Sequence, residues 1–177
     1  METSTGVECA SRLQTVLKLV GTPPSIHSDG AKDFIKGAFA KKAKKYGMSL
    51  TTTEPYSPWM NRAEDGIKEV KKYAKGIMEK YKKVPIRLWC FAYEYSAEIL
   101  CLTATGKYQL QGRTPYEVVM NYTPDISEYV NFHFYQWCYH WDELKGEKLL
   151  GRWLGVAHRV GQSMCYWILT SNGTYIA

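Results

Sequence analysis

Apolar residues near the start of the chain recur every three or four positions: Ala10, Leu13, Val16, Leu17 and Val20. That spacing predicts an amphipathic helix. Thr5-Gly6-Val7-Glu8 reads as a capping box in front of it, and Gly21 with Pro23 ends it. Ser25 to Ser28 is a short strand candidate. Asp33 to Tyr46 reads as a second helix, with Phe34, Phe39, Ala43 and Tyr46 inward, five lysines outward and Gly47 closing it. Leu50 to Thr53 is rich in β-formers and predicts a strand, and the two prolines of 55–60 predict a loop. Asn61 to Tyr81 reads as a long helix capped by Asn61, with Ile67, Val70, Ala74, Ile77 and Tyr81 as its apolar stripe. Another helix opens at Pro85 and runs to about Thr103. Thr114-Pro115-Tyr116-Glu117 reads as a capped start with proline at the first helical position. Residues 122–127 read as a linker.

From Asn131 the period changes. Phe132 to Trp141 alternates as an aromatic strand, and Leu149 to His158, Gln162 to Thr170 and Thr174 to Ala177 suggest further strands. Asn172-Gly173 is a hairpin signal between the last two. The end of the chain therefore reads as a small β module of barrel type. Strands separated by helices favour parallel pairing, so the earlier part is α/β. Two parallel strands make a poor sheet alone, which predicts that the first half of the sheet is missing from this chain.

Composition narrows the class. The 177 residues suffice for one ordinary domain or a small domain with an appendage, and 45% hydrophobic with 23% charged residues is the balance of a globular protein. Met1 to Gly6 lacks the basic start and apolar core of a signal peptide. The longest apolar run, Leu88 to Ala104, carries Glu94 and Glu98 and makes a poor membrane helix, so no membrane partner is expected. Five scattered cysteines form no disulfide framework and predict buried thiols in a reducing, intracellular setting. His133, Cys138 and His140 match no zinc-finger spacing and read as core-strand residues.

The formal charge of +6 is uneven: residues 36–83 carry +8 and the rest −2. A concentrated basic segment attracts phosphates, although lysines on a solvated helix face would look similar. Within the helix from Asn61, Glu64, Lys68, Lys71 and Lys75 fall in a stripe of roughly 60° at ~100° per residue, apart from the apolar stripe. One carboxylate followed by three ammonium groups suits metal-assisted phosphoryl transfer, with the acid on a divalent ion and the lysines on flanking phosphates. The plainer reading is ordinary Glu–Lys pairing along a solvated helix. Asp29 follows a short strand and precedes Gly30, a placement that suits a ligand or a metal; its plainer reading is an Asx-turn or helix cap.

Taken together, His27-Ser28-Asp29-Gly30 and Tyr56-Ser57-Pro58-Trp59-Met60-Asn61-Arg62-Ala63-Glu64 resemble the integrase catalytic core of copia-like and related retroelements. Gly112-Arg113-Thr114-Pro115-Tyr116-Glu117 and Leu150-Gly151-Arg152-Trp153-Leu154-Gly155-Val156 extend the resemblance from about residue 9 to the end. The resemblance implies a partial ribonuclease H-like fold without its first three strands, followed by a small β-barrel-like module. It divides the chain into a core back half (1–83), a helical extension and linker (84–127) and the β module (128–177). It implies DNA as partner, possible self-association, a nuclear location, and two-metal polynucleotidyl transfer with Mg²⁺ or Mn²⁺ held by three acids. Asp29 matches the second acid and Glu64 the third. Lys68 and Lys71 match positions one and two turns beyond that acid where the family's lysines contact the DNA end; Lys75, Asn61 and Arg62 are further DNA-binding candidates, and Trp59 and Asn61 fall in the loop beside the site. Many relatives place the third acid one residue later, which would make it Asp65; helical phase favours Glu64, and both stay open. The family's first acid has no counterpart here, since Glu2 and Glu8 belong to the helix start, and nothing resembles the His-His-Cys-Cys zinc module that usually precedes the core. The expectation is an integrase fragment that is inactive as this chain. The alternatives are a non-catalytic DNA-binding derivative and the product of a clipped or decayed gene.

Overall fold

Leu13, Leu17 and Ala10 are buried along one side of α1 (Gly6–Val20), whereas Val16, Leu19 and Val20 stay exposed. The apolar face is therefore narrower than the spacing suggests. Gly21, at φ +81°, donates its N–H to Leu17 O and ends the helix in the left-handed conformation that glycine tolerates. The computed structural model describes residues 6–54, 62–81, 84–142, 145–158, 160 and 164–177, without the side chains of Asp33 and Tyr108. The expected cap at Thr5 and the loop 55–61 lie outside the described residues.

Contacts divide the chain into residues 1–67 and 68–177. In the first unit, β1 (Ser25–Ser28) and β2 (Ser49–Thr52) pair in parallel, with Ile26 opposite Leu50. The expected single helix between them is two: α2 (Lys32–Ile35) and α3 (Ala38–Lys45). Gly37 sits at φ +110°, which no right-handed helix can contain, so the helix breaks there. Phe34 and Phe39 then meet edge to face at 5.0 Å across the break. Leu13, Leu17, Phe39, Ala43 and Met48 form the core, with Ile26 and Leu50 packed against it. Tyr46, expected inward, is exposed, because it stands at the C-terminal cap of α3, past the buried stripe. Lys42 reaches from α3 to α1, donating to Ala10 O at 3.0 Å and Gln14 Oε1 at 2.7 Å.

The division falls inside α4 (Arg62–Lys80). The second unit takes the rest of that helix with α5 (Trp89–Leu102), α6 (Pro115–Met120), α7 (Ser127–Val130) and strands β3 (Trp137–Asp142), β4 (Glu147–Val156), β5 (Tyr166–Leu169) and β6 (Tyr175–Ile176). The strands form an antiparallel sheet in sequence order. One core serves helices and sheet together: Ala74, Leu88, Ala92 and Tyr95 pack with Phe134, Trp153, Leu154 and Leu169. Sheet and helices of this unit thus share buried surface. The Thr114 capping box is present, with Glu117 N–H donating to Thr114 Oγ1 at 3.0 Å and Thr114 N–H to Glu117 Oε2 at 2.8 Å. The hairpin at Asn172-Gly173 also forms, with Gly173 at φ +85°.

Several expectations fail for local reasons. Residues 132–136 are not strand; Tyr135 lies at φ +63°, and pairing with β4 begins at Trp137. Ile67 in α4 is exposed rather than inward. Only Cys138 is fully buried; Cys90 and Cys101 are exposed. The latter two lie eleven residues apart on α5 and so share a helical line, away from the buried Ala92–Tyr95–Ser96 face. Among the described residues no helix is long and apolar enough to cross a membrane.

Gly151 shows how tightly the sheet is packed. A Cβ there would lie 2.5 Å from Ile168 Cγ2, 3.0 Å from Leu169 O and 3.3 Å from His140 Cδ2. Gly151→Ala is expected to cost about 1–3 kcal/mol through this overpacking. Urea denaturation of the two proteins measures it, and an unchanged midpoint would show that β5 yields freely.

Candidate functional site

Asp29 follows β1 directly and is exposed. Its position is set by side-chain bonds between the two strands. The ring of His27 meets Thr51 Oγ1 at 2.9 Å through Nδ1 and Thr53 Oγ1 at 3.2 Å through Nε2, and Thr53 N–H donates to Ser28 O at 2.9 Å. The histidine that opens the motif thereby holds the ends of the two strands together just before the acid. Asp29 does not act as the helix cap of the plainer reading: the cap position of α2 is Ala31, with no side-chain cap bond. Gly30 beside it does not take a left-handed backbone conformation.

Glu64 and Asp65 both stand in the first turn of α4, where the helix dipole favours a carboxylate. Both are exposed, and burial does not separate them as candidates for the third acid. Arg62 opens the same turn; Asn61 and Trp59 lie outside the described residues.

The lysine face belongs to the second unit. Lys68, Lys71 and Lys75 are exposed along α4. Lys71, Lys72 and Lys75 line an open cleft of about 760 Å³ whose other side carries Ile86, Trp89 and Tyr93. Trp89 and Tyr93 meet edge to face at 5.5 Å. Glu79, 3.7 Å from Lys75, partly offsets the positive charge in solvent. Cations on one wall and aromatic rings on the other suit phosphates and bases respectively. The aromatic wall was not legible in the sequence, since it depends on how α5 packs beside α4; its nearest signal was Trp89 at the start of an apolar helix.

A hydrogen-bonded group around the carboxylate of Glu98 also went unforeseen. Glu98 accepts from Tyr129 Oη at 2.9 Å and meets His158 Nε2 at 2.9 Å, and the Tyr129 hydroxyl lies 3.2 Å from the same nitrogen. Burial pushes the Glu98 carboxyl above its ordinary range, opposed by the Tyr129 hydrogen bond and the His158 charge. Burial and the Glu98 charge push the Tyr129 phenol far upward. The cluster ties α5, α7 and the end of β4 together beside a cleft of about 490 Å³.

A two-ion centre needs several convergent ligands. Among the described residues no three His, Cys, Asp or Glu side chains gather so as to hold a metal ion. That includes His133, Cys138 and His140. The described donors therefore do not fit a two-metal centre.

No family model and no characterised protein matches the chain. Solved structures do. The HTLV-2 integrase catalytic core domain in complex with magnesium, in a trimeric form, aligns at TM-score 0.50 and 17% identity, over 65% of this chain and 70% of that one. A chain of the simian T-cell lymphotropic virus intasome, in complex with PP2A regulatory subunit B56 gamma, aligns at TM-score 0.55 and 14% identity. That alignment covers 99% of this chain but only 62% of the other. The catalytic core domain of BIV integrase aligns at TM-score 0.50 and 20% identity, over 68% and 74% of the two chains. Identities this low speak for architecture alone. The chain is built on the ribonuclease H-like fold of integrase catalytic cores.

Proposed function

We propose that this chain is a DNA-binding part of a retroelement integrase, of the copia-like or a related kind, and that it does not join DNA by itself. The observation that carries the reading is the cleft in which Lys71, Lys72 and Lys75 face Trp89 and Tyr93, on an integrase-core fold. In this reading the α4 lysines hold the phosphates of a DNA end, while Asp29 and Glu64, or Asp65 in its place, supply two of the family's three acids. The HTLV-2 core was solved with magnesium and in a trimeric form. By analogy we extend to this chain self-association and work on nuclear DNA, whereas Mg²⁺ or Mn²⁺ belongs to the intact family and would bind weakly or not at all at Asp29 and Glu64 alone. The lysine-lined cleft needs no carboxylate and equally supports a second reading, a non-catalytic DNA-binding protein derived from such an integrase.

Duplex binding is expected to be steeply salt-dependent. Each lysine that contacts a phosphate contributes about 0.9 to the slope of log affinity against log salt. Changing Lys68, Lys71 and Lys75 together to Ala should flatten that slope by about 0.9 for each true contact. Binding isotherms at a series of salt concentrations give the slope, and an unchanged value removes the α4 face from the proposal.

The purified chain is expected neither to process nor to join DNA ends in Mg²⁺ or Mn²⁺, because Asp29 and Glu64 alone cannot clamp two ions. A strand-transfer assay on this chain beside Asp29→Asn checks it. Clear joining that disappears in the variant would mean that a third ligand is supplied from elsewhere, and the claim of inactivity would fail.

A further inference from the structure

We propose that the outward face of β3 and β4 is a stacking platform for unpaired nucleic-acid bases, separate from the α4 lysine face and independent of the carboxylates. Alternation along a strand sends successive side chains to opposite sides, and directly opposed residues of an antiparallel pair share a side. The register pairs Trp137 with Arg152, Tyr139 with Leu150 and Trp141 with Lys148. These six form one face. Its three rings are 54%, 73% and 58% exposed. Large aromatic groups usually bury their area, so three of them in water on one strand mark a surface built for contact.

Their placement does not come from loose packing. The alternate residues of β3 go the other way: Cys138 is buried, and His140 packs over Gly151. A slip of one residue would drive the rings into the core and expose that face.

Charge selects the partner. Among the described residues of the two strands the outward face carries Arg152 and Lys148 and no acid, while the paired acids Asp142 and Glu147 lie on the opposite side. Arg152 is already set in place: its guanidinium sits 3.5 Å from the centre of the Trp137 ring and donates to Tyr135 O at 3.0 Å. Tyr139 and Trp141 stay largely exposed, so both rings are accessible from solvent. A single strand offers such a surface both things it can bind, base faces for the rings and phosphates for the two cations. A duplex hides its base faces inside the stack and offers only the phosphates.

The test compares a short fluorescein-labelled oligothymidylate with a labelled duplex, by anisotropy on the full chain. Replacing Tyr139 and Trp141 together by Ala should weaken the single strand about tenfold or more and change the duplex by less than about twofold. Replacing both by Phe, which keeps a ring, should stay within about threefold of the parent on either probe. Lys148→Ala should lower the single-strand salt slope by about 0.7. Thermal unfolding checks that the variants fold. Should the double Ala variant fail to fold, Tyr139→Ala alone, at the most exposed of the three positions, should still cost about fivefold.

Unchanged oligothymidylate affinity in the Ala variants overturns the proposal, as does an equal loss on the duplex. A self-association that disappears in the Ala variants while oligothymidylate binding persists also overturns it, by making the face a protein interface. Loss of duplex binding in the α4 lysine variant speaks only to the proposed function and leaves the platform standing.

Discussion

Trp153 fixes the second unit. Its ring is fully buried, 5.7 Å from Tyr95 of α5 and stacked 6.1 Å from Phe132. Burial of so large an apolar group is worth a few kcal/mol, enough to decide which side of β4 faces the helices. Once Trp153 points inward, strand alternation and the β3–β4 register settle the rest. Gly151 must be small because His140 and Ile168 close over it, and Trp137, Tyr139 and Trp141 must point to water. The indole N–H of Trp153 has no partner among the described residues, so the apolar contacts outweigh the loss of one hydrogen bond to water.

What the sequence made legible was local. The α6 cap, the Asn172-Gly173 turn and strand β1 each depend on a few adjacent residues, and each formed where the chain chemistry put it. Asp29 at a strand end and the acids at the start of α4 were legible for the same reason. The helix break at Gly37 was missed because apolar spacing continues across it, and only the backbone angle shows the interruption. The exposed thiols and the aromatic side of the lysine cleft were out of reach because they depend on which faces of α4 and α5 meet. Phe132 to Gln136 alternates like a strand, yet it serves as an entry loop whose Phe134 and Tyr135 fill the core. Apolar alternation marks burial, and burial in this stretch needs no strand.

The two nucleic-acid surfaces proposed for the second unit differ in physical character. The cleft of α4 and α5 is led by mobile lysines, so its attraction is long-ranged and screened by salt. The face of β3 and β4 is led by rigid rings, with an arginine already stacked on one of them, so its attraction is short-ranged and selective for exposed bases. A protein that handles DNA with frayed or processed ends meets duplex and unpaired bases together, and the two kinds of surface sort them without reading sequence.

The shared core also bears on synthesis at the ribosome. Phe91 in α5 completes its packing only against Trp167 and Tyr175, at 6.0 and 5.2 Å, some eighty residues further along the chain. The first unit closes its core among residues already made, whereas the apolar side of α5 stays open until β5 and β6 have emerged. For the seconds that translation takes to cover that distance, the nascent chain carries an unsatisfied greasy helix. Chaperone capture, or aggregation in its absence, is therefore a hazard concentrated in the second unit and lasting until β6 has emerged.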